Sequence, residues 1–153
     1  MSELVRSQFL PYPRDEVFRF FGEPRNLEAI TPPWLRFRIL SLPEGGLETG
    51  SRIDYALRLR GVPIRWRTRI AAWNPPHGFV DEQISGPYRL WVHTHTFDAI
   101  EGGTRVHDRV FYVVPGGRLI EKLFVRRDLD RIFDFRAEAI SRRFGVEDES
   151  TCV

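Results

Sequence analysis

Residues 51–70 read SRIDYALRLRGVPIRWRTRI, and their alternation decides the architecture. Ile53, Tyr55, Leu57 and Leu59 recur at every second position, as do Ile64, Trp66, Thr68 and Ile70 beyond Gly61-Val62-Pro63. A period of two puts these side chains on one face of an antiparallel hairpin, and that face is predicted to be concave and to line a cavity. The opposite face collects Arg58, Arg60, Arg65, Arg67 and Arg69. If Gly61-Val62-Pro63 closes the hairpin, Arg60 falls near Arg65 and Arg58 near Arg67, like charges that need a compensating anion. The arginine face is then either a solvated outer surface relieved by Asp54, Glu82 and salt, or an interaction module that meets an acidic partner or a lipid headgroup.

The same texture continues on both sides. Turn signals at 45–46, 61–63, 74–76, 85–87 and 102–103 separate predicted strands at 35–42, 51–60, 63–73, 78–84, 88–99 and 104–114. Residues 3–10, ELVRSQFL, add an N-terminal strand, stopped by Pro11 and Pro13. A short helix follows Pro13, with Asp15 and Glu16 in its first turn, Val17, Phe20 and Phe21 as an apolar stripe, and Gly22 at its end. A second short helix runs from Pro24 to Ile30 and ends at Thr31-Pro32-Pro33. Residues 118–144 carry Leu119, Ile120, Leu123, Phe124, Leu129, Ile132, Phe133, Ala137, Ile140 and Phe144 at helical spacing. An offset between Phe124 and Leu129 predicts a kink or a rotation of that stripe. The fold class is therefore α+β: a seven-stranded curved antiparallel sheet around a long C-terminal helix, with two short helices after the first strand. A single domain is expected over 1–145, with 146–153 a flexible tail.

Composition narrows the function classes. Hydrophobic residues make up 42% and aromatics 13%, which suits a packed globular core. A net charge of +2, from 23 basic and 21 acidic residues, argues against nucleic acid as a partner. The single cysteine, Cys152, permits no intrachain disulfide, and no stretch has the length of a membrane helix or the apolar core of a signal peptide, so a cytoplasmic location is expected. There is no Gly-rich phosphate loop, no Gly-x-Ser-x-Gly elbow and no Cys-x-x-Cys, and no cofactor is predicted.

The element order resembles the START-like, or SRPBCC, superfamily from about Val5 to Phe144. The residues that carry the resemblance are Gly61 to Trp66, Phe79 to Gln83, Gly86-Pro87-Tyr88, Trp91 to Phe97, Gly102 to Val106 and Asp108 to Pro115. They are similar to a bacterial branch labelled cyclase/dehydrase or ligand-binding SRPBCC protein. The resemblance implies a helix-grip fold, in which the sheet wraps the last helix, and leaves the chemistry open.

Alternation extends the inner face. Phe79, Asp81 and Gln83 are assigned to it on the strand at 78–84, with Glu82 outside near Arg69. Trp91, His93, His95 and Phe97 follow on the next strand. A tight turn at Glu101-Gly102 then sets His95 opposite Asp108 and Phe97 opposite Val106, with Val110 and Tyr112 on the same side. The predicted ligand-binding set is Tyr55, Leu57, Trp66, Thr68, Asp81, Gln83, Trp91, His93, His95, Phe97, Asp108, Val110, Tyr112 and, from the helix, Phe133. Apolar walls with a few convergent polar groups are the usual make-up of a small-molecule site, and the expected partner is a small hydrophobic molecule such as a lipid, isoprenoid or polyketide-like compound. The polar groups have two other readings: a structural hydrogen-bond network, or the acid and base of a cyclase/aromatase-like enzyme, with His93, His95, Asp108 and Asp81 as catalytic candidates. His-x-His on one strand can also chelate zinc, but the pattern is short and no cysteine is near, so no metal is predicted.

Overall fold

In the computed structural model, which describes residues 1–146, one antiparallel sheet holds β1 (Ser2–Leu10), β2 (Arg38–Ser41), β3 (Arg52–Leu59), β4 (Val62–Asn74), β5 (Gly78–Ser85), β6 (Leu90–Ile100) and β7 (Gly103–Val113). Its order is β1-β7-β6-β5-β4-β3-β2, so β2 to β7 form a meander and β1 pairs with β7. Two short helices, α1 (Arg14–Phe21) and α2 (Asn26–Ala29), follow β1 as predicted. The strand expected at 35–42 shortens to β2, because Pro33–Leu35 wind into a 3-10 turn and Arg36 takes a left-handed φ of 47°. Of the tail expected at 146–153, residues 147–153 lie outside the described residues. No helix among the described residues is long and apolar enough to cross a membrane.

The β3–β4 hairpin turns earlier than the sequence reading has it. Arg60 and Gly61 alone make the turn, both at positive φ (52° and 81°), a geometry whose twist matches that of the strands it joins. Arg58 therefore faces Pro63 and Arg65 faces Ala56, and the expected arginine pairs do not form. Asp54 comes opposite Arg67 instead and bonds it at 2.9 Å. Arg69 is bonded to Glu82 and Arg60 to Asp128, so much of the arginine face is neutralised within the chain. On the inner face the same register sets Tyr55 opposite Trp66. Register shifts within the β4–β5 pairing, near Thr68 and Ala72, interrupt the ladder there, as bulges that bend a strand do.

The C-terminal helix is continuous from α3 (Gly117–Ile120) through a π-helical turn at Glu121–Val125 into α4 (Arg126–Arg143). A π turn adds a residue to the helical repeat and rotates the face that follows it, which is the offset expected between Phe124 and Leu129. Below the turn, Leu129, Phe133 and Ile140 are buried against the sheet. Above it the expectation fails: Leu119, Ile120, Leu123 and Phe124, assigned to the buried stripe, are exposed, Leu119 by 67%. The π turn is tied down by Tyr112, whose hydroxyl donates to Glu121 at 2.6 Å. The edge strand β1 latches α4, with Arg6 bonded to Asp130 and Asp134 and Gln8 bonded to the Ala137 carbonyl.

Two substitutions separate the two halves of this helix. Phe133→Asp forces an unpaired carboxylate into the buried seam and should abolish cooperative unfolding or strongly lower its midpoint. Leu123→Asp should stay within about 0.5 kcal/mol of wild type in urea denaturation, as exposed substitutions do. A large loss at Leu123 would contradict the observed rotation of the stripe.

Candidate functional site

The inner face of the sheet and α4 enclose a half-open cavity of about 180 Å³, with a smaller lobe of about 60 Å³ toward α1. Tyr55, Leu57, Trp66, Thr68, Asp81, Trp91, His93, His95 and Phe133 all line the larger lobe, which the predicted inner face placed there. Leu27 and Ile30, at the α2 end, close it from the side opposite the sheet. Leu27, Ile30, Tyr55, Asp81, His95 and Arg136 line both lobes and so form the waist between them.

The remaining predicted residues lie elsewhere. Gln83 shares the face of Thr68, but its amide is consumed by the turn that follows: it donates to the Tyr88 carbonyl at 2.7 Å and accepts from the Tyr88 N–H at 3.1 Å. Phe97 is packed among Phe18, Phe79 and Val106 in one core cluster, and Val110 among Leu4, Leu129 and Phe133 in the other. Tyr112 is fully buried with its hydroxyl turned to the helix start. Asp108 stands behind the histidines rather than on the cavity wall.

The polar groups form one cluster. The β6–β7 register places His95 opposite Asp108 and Phe97 opposite Val106, as the Glu101-Gly102 turn requires. The side chains nevertheless cross diagonally. His93 Nε2 meets Asp108 Oδ1 at 2.8 Å, and His95 Nε2 meets Asp81 Oδ2 at 2.6 Å, so the nearest partner of His95 is Asp81 and not the Asp108 expected. His95 Nδ1 lies 3.4 Å from Asp108 Oδ1 without making a hydrogen bond. The two imidazoles stack at 3.7 Å, with Phe79 on the other side of His95 at 4.1 Å. A close approach of backbone fixes this arrangement: Gly78 passes so near the His95 carbonyl that any Cβ there would collide with it.

Arg136, which the sequence reading did not single out, completes the cluster from α4. Its Nη2 lies 3.5 Å from Asp108 Oδ1, and its guanidinium sits 5.5 Å from the Phe21 ring and 5.8 Å from that of Phe133. The signal was available in its spacing, since Arg136 follows Phe133 by three positions and precedes Ile140 by four, inside the apolar stripe.

Burial and charge set the titration. Burial pulls His93 down, and the neighbouring His95 adds to that, so its pKa lies below the ordinary 6.5 despite the bond to Asp108. Burial pulls His95 down too, but the hydrogen bond to Asp81 and the negative charges of Asp81 and Asp108 outweigh it, and its pKa is raised. Burial pushes both carboxyls up. His95, His93 and Arg136 more than reverse this at Asp81, and Arg136 with the two histidines holds Asp108 well below the usual carboxylate range. Two imidazoliums stacked at this distance would repel, so charging one ring disfavours charging the other. Asp81, His93 and His95 also present ligand atoms within 4.8 Å of one another. The guanidinium beside Asp108 already supplies the positive charge that a cation would bring.

The family model described as polyketide cyclase/dehydrase and lipid transport matches residues 10–138. The chain belongs to that family. Among solved structures, Ms6760 from Mycobacterium smegmatis is 18% identical, with 94% of this chain and 90% of that one covered at a TM-score of 0.71. TTHA0849 from Thermus thermophilus is 22% identical, with 94% and 97% covered at 0.69. Major latex-like protein 151 from Panax ginseng is 14% identical, with 94% and 97% covered at 0.69. No curated protein matches the chain. At these identities the shared property is the fold, and this chain has the helix-grip architecture its element order implies.

The cluster's pH behaviour follows from these directions. The raised pKa of His95 contributes stability that is present below 6.5 and lost as pH rises through the folded value. His93 acts oppositely, its contribution being present above 6.5 and lost as pH falls through its lowered value. Histidine NMR should therefore resolve two separate titrations, His95 above 6.5 and His93 below it. Asp81→Asn should lower the His95 value and Asp108→Asn should lower both. Two histidines titrating together near 6.5 would contradict the opposite environments described for them.

Proposed function

We propose that this protein binds a small, largely apolar molecule, lipid-, isoprenoid- or polyketide-like, in the cavity between sheet and α4, without covalent chemistry. The observation that carries the reading is the wall itself: Leu57, Trp66, Trp91, Leu129 and Phe133 present apolar surface to an open volume. Such surface gains from any ligand that removes it from water, by about 25 cal/mol per Å². The volume supports a ligand core of one or two rings, since a dry cavity of about 150 Å³ is enough for benzene. A cytoplasmic location remains part of this proposal.

The buried acid–base cluster favours a second reading, a cyclase- or dehydrase-like enzyme in which Asp81 and His95 move a proton at a carbonyl-bearing substrate. The readings part on chemistry at the bound molecule. An enzyme should accelerate deuterium uptake at the α-carbon of a small 1,3-diketone, and Asp81→Asn should remove the acceleration. A binding protein should return the diketone at the solvent rate.

Binding is read most simply from the tryptophans. Trp66 and Trp91 face the cavity, while Trp34 lies outside against Phe135 and Trp73 sits among Phe18 and Phe79. N-phenyl-1-naphthylamine should quench tryptophan emission by energy transfer, and Trp66→Phe and Trp91→Phe should each remove more of that transfer than Trp34→Phe. Transfer that depends chiefly on Trp34 would place the probe on the surface and sink the cavity reading.

A further inference from the structure

The waist of the cavity and the groups packed directly against it bring opposite charges together. Asp81 on β5 and, behind the histidines, Asp108 on β7 contribute two negative charges, Arg136 on α4 contributes a positive one, and His93 and His95 on β6 lie between the two carboxylates as their hydrogen-bond partners. Tyr55 on β3 also faces the waist and remains neutral, its hydroxyl pushed up by burial. Glu23 reaches the smaller lobe from an exposed position at its rim. A carboxylate brought to the waist would stand beside Asp81 with no counter-charge left, and an ammonium would stand beside Arg136. Either is an unpaired ion in a poorly hydrated site, which is strongly unfavourable.

Hydrogen-bonding capacity is not closed in the same way. Arg136 carries five N–H donors, and its side chain is only 11% exposed. Among the described residues its one contact to an acceptor is the long 3.5 Å approach to Asp108, and its Nε is buried without a partner among them. His95 Nδ1 is likewise buried and unpartnered. The Phe21 and Phe133 rings on either side of the guanidinium fix its plane and restrict its access to water. Buried donors without acceptors are costly, and what satisfies them without adding charge is a neutral oxygen acceptor.

We infer that the cavity selects uncharged ligands carrying a carbonyl or similar neutral oxygen on an apolar body, and that Arg136 is the residue that recognises this oxygen. The inference rests on the binding reading above and narrows it: free fatty acids and amines are poor ligands, and neutral ketones or quinone-like compounds are good ones. Arg136 acts as a specificity-determining group, and its position at the waist places the ligand oxygen within reach of His95 and Asp81, with the apolar body in the larger lobe.

The test uses four compounds of one size at pH 7.5: indane, 1-indanone, indane-1-carboxylate and 1-aminoindane, titrated by calorimetry into the intact protein. 1-Indanone should bind at least tenfold tighter than indane, and both ions should bind more weakly than indane. Arg136→Met, which keeps an apolar side chain between Phe21 and Phe133, should lose the preference for 1-indanone over indane, read as the ratio of the two affinities within the variant. Carboxylate binding as tight as ketone binding in wild type would overturn the inference and leave the binding reading standing. A ketone preference retained by a folded Arg136→Met would do the same. Failure of all four compounds to bind would overturn the binding reading and the inference with it. The wild-type selectivity decides the matter even if Arg136→Met does not fold.

Discussion

Charge pairing among Asp81, His93, His95, Asp108 and Arg136 is the constraint on which the site depends. Each of these groups is largely withdrawn from water, and any one left alone would destabilise the fold by several kcal/mol or change its protonation. Two carboxylates are tolerated because a guanidinium and two imidazoles face them across 2.6 to 3.5 Å. The arrangement requires three strands and the last helix to be in register at once. A correctly formed sheet with a misplaced α4 would leave Asp108 without its strongest partner. Such a cluster ties tertiary structure to site geometry more tightly than apolar packing can, because apolar contacts tolerate small slips and buried ions do not.

The cavity is the geometric consequence of the same contact. Register shifts in β4–β5 interrupt the ladder, as bulges that bend a strand do, and α4 spans the hollow instead of filling it, held along β1 by Arg6 and Gln8. The π turn makes this possible by releasing the preceding helical turns from the sheet. Leu119 and Leu123 face outward while Phe133 and Leu129 face in. Apolar walls and a polar waist then meet in one volume, which gives a ligand both a driving force and an orientation.

Much of this was legible in the sequence, because strand alternation and hairpin turns are local signals. The Glu101-Gly102 turn and the period of two were enough to place His95 across from Asp108 and to gather His93, Trp91 and Asp81 on one face. Three things were hidden. Arg60 adopts a left-handed conformation that a non-glycine residue rarely takes, so the β3–β4 turn was read too late and Arg67 was assigned a like-charged neighbour in place of Asp54. The phase of the C-terminal helix depends on a π turn that no residue type announces, which is why Leu119 to Phe124 were placed inside. Side-chain direction within a face also escapes alternation: Gln83 lies on the correct face and folds back on Tyr88, while His95 reaches past Asp108 to Asp81. Arg136 was missed because a charged residue in an apolar stripe reads as a solvent-facing position until its buried partners are known.

The central claim is that the enclosed volume exists to hold a molecule, and native mass spectrometry of the protein purified from its own cells tests it most directly. The account predicts a non-covalent adduct with the mass of a small neutral organic compound, lost on denaturation and recovered unchanged in the organic extract. Protein that carries no adduct and takes up no apolar compound when one is offered would contradict it.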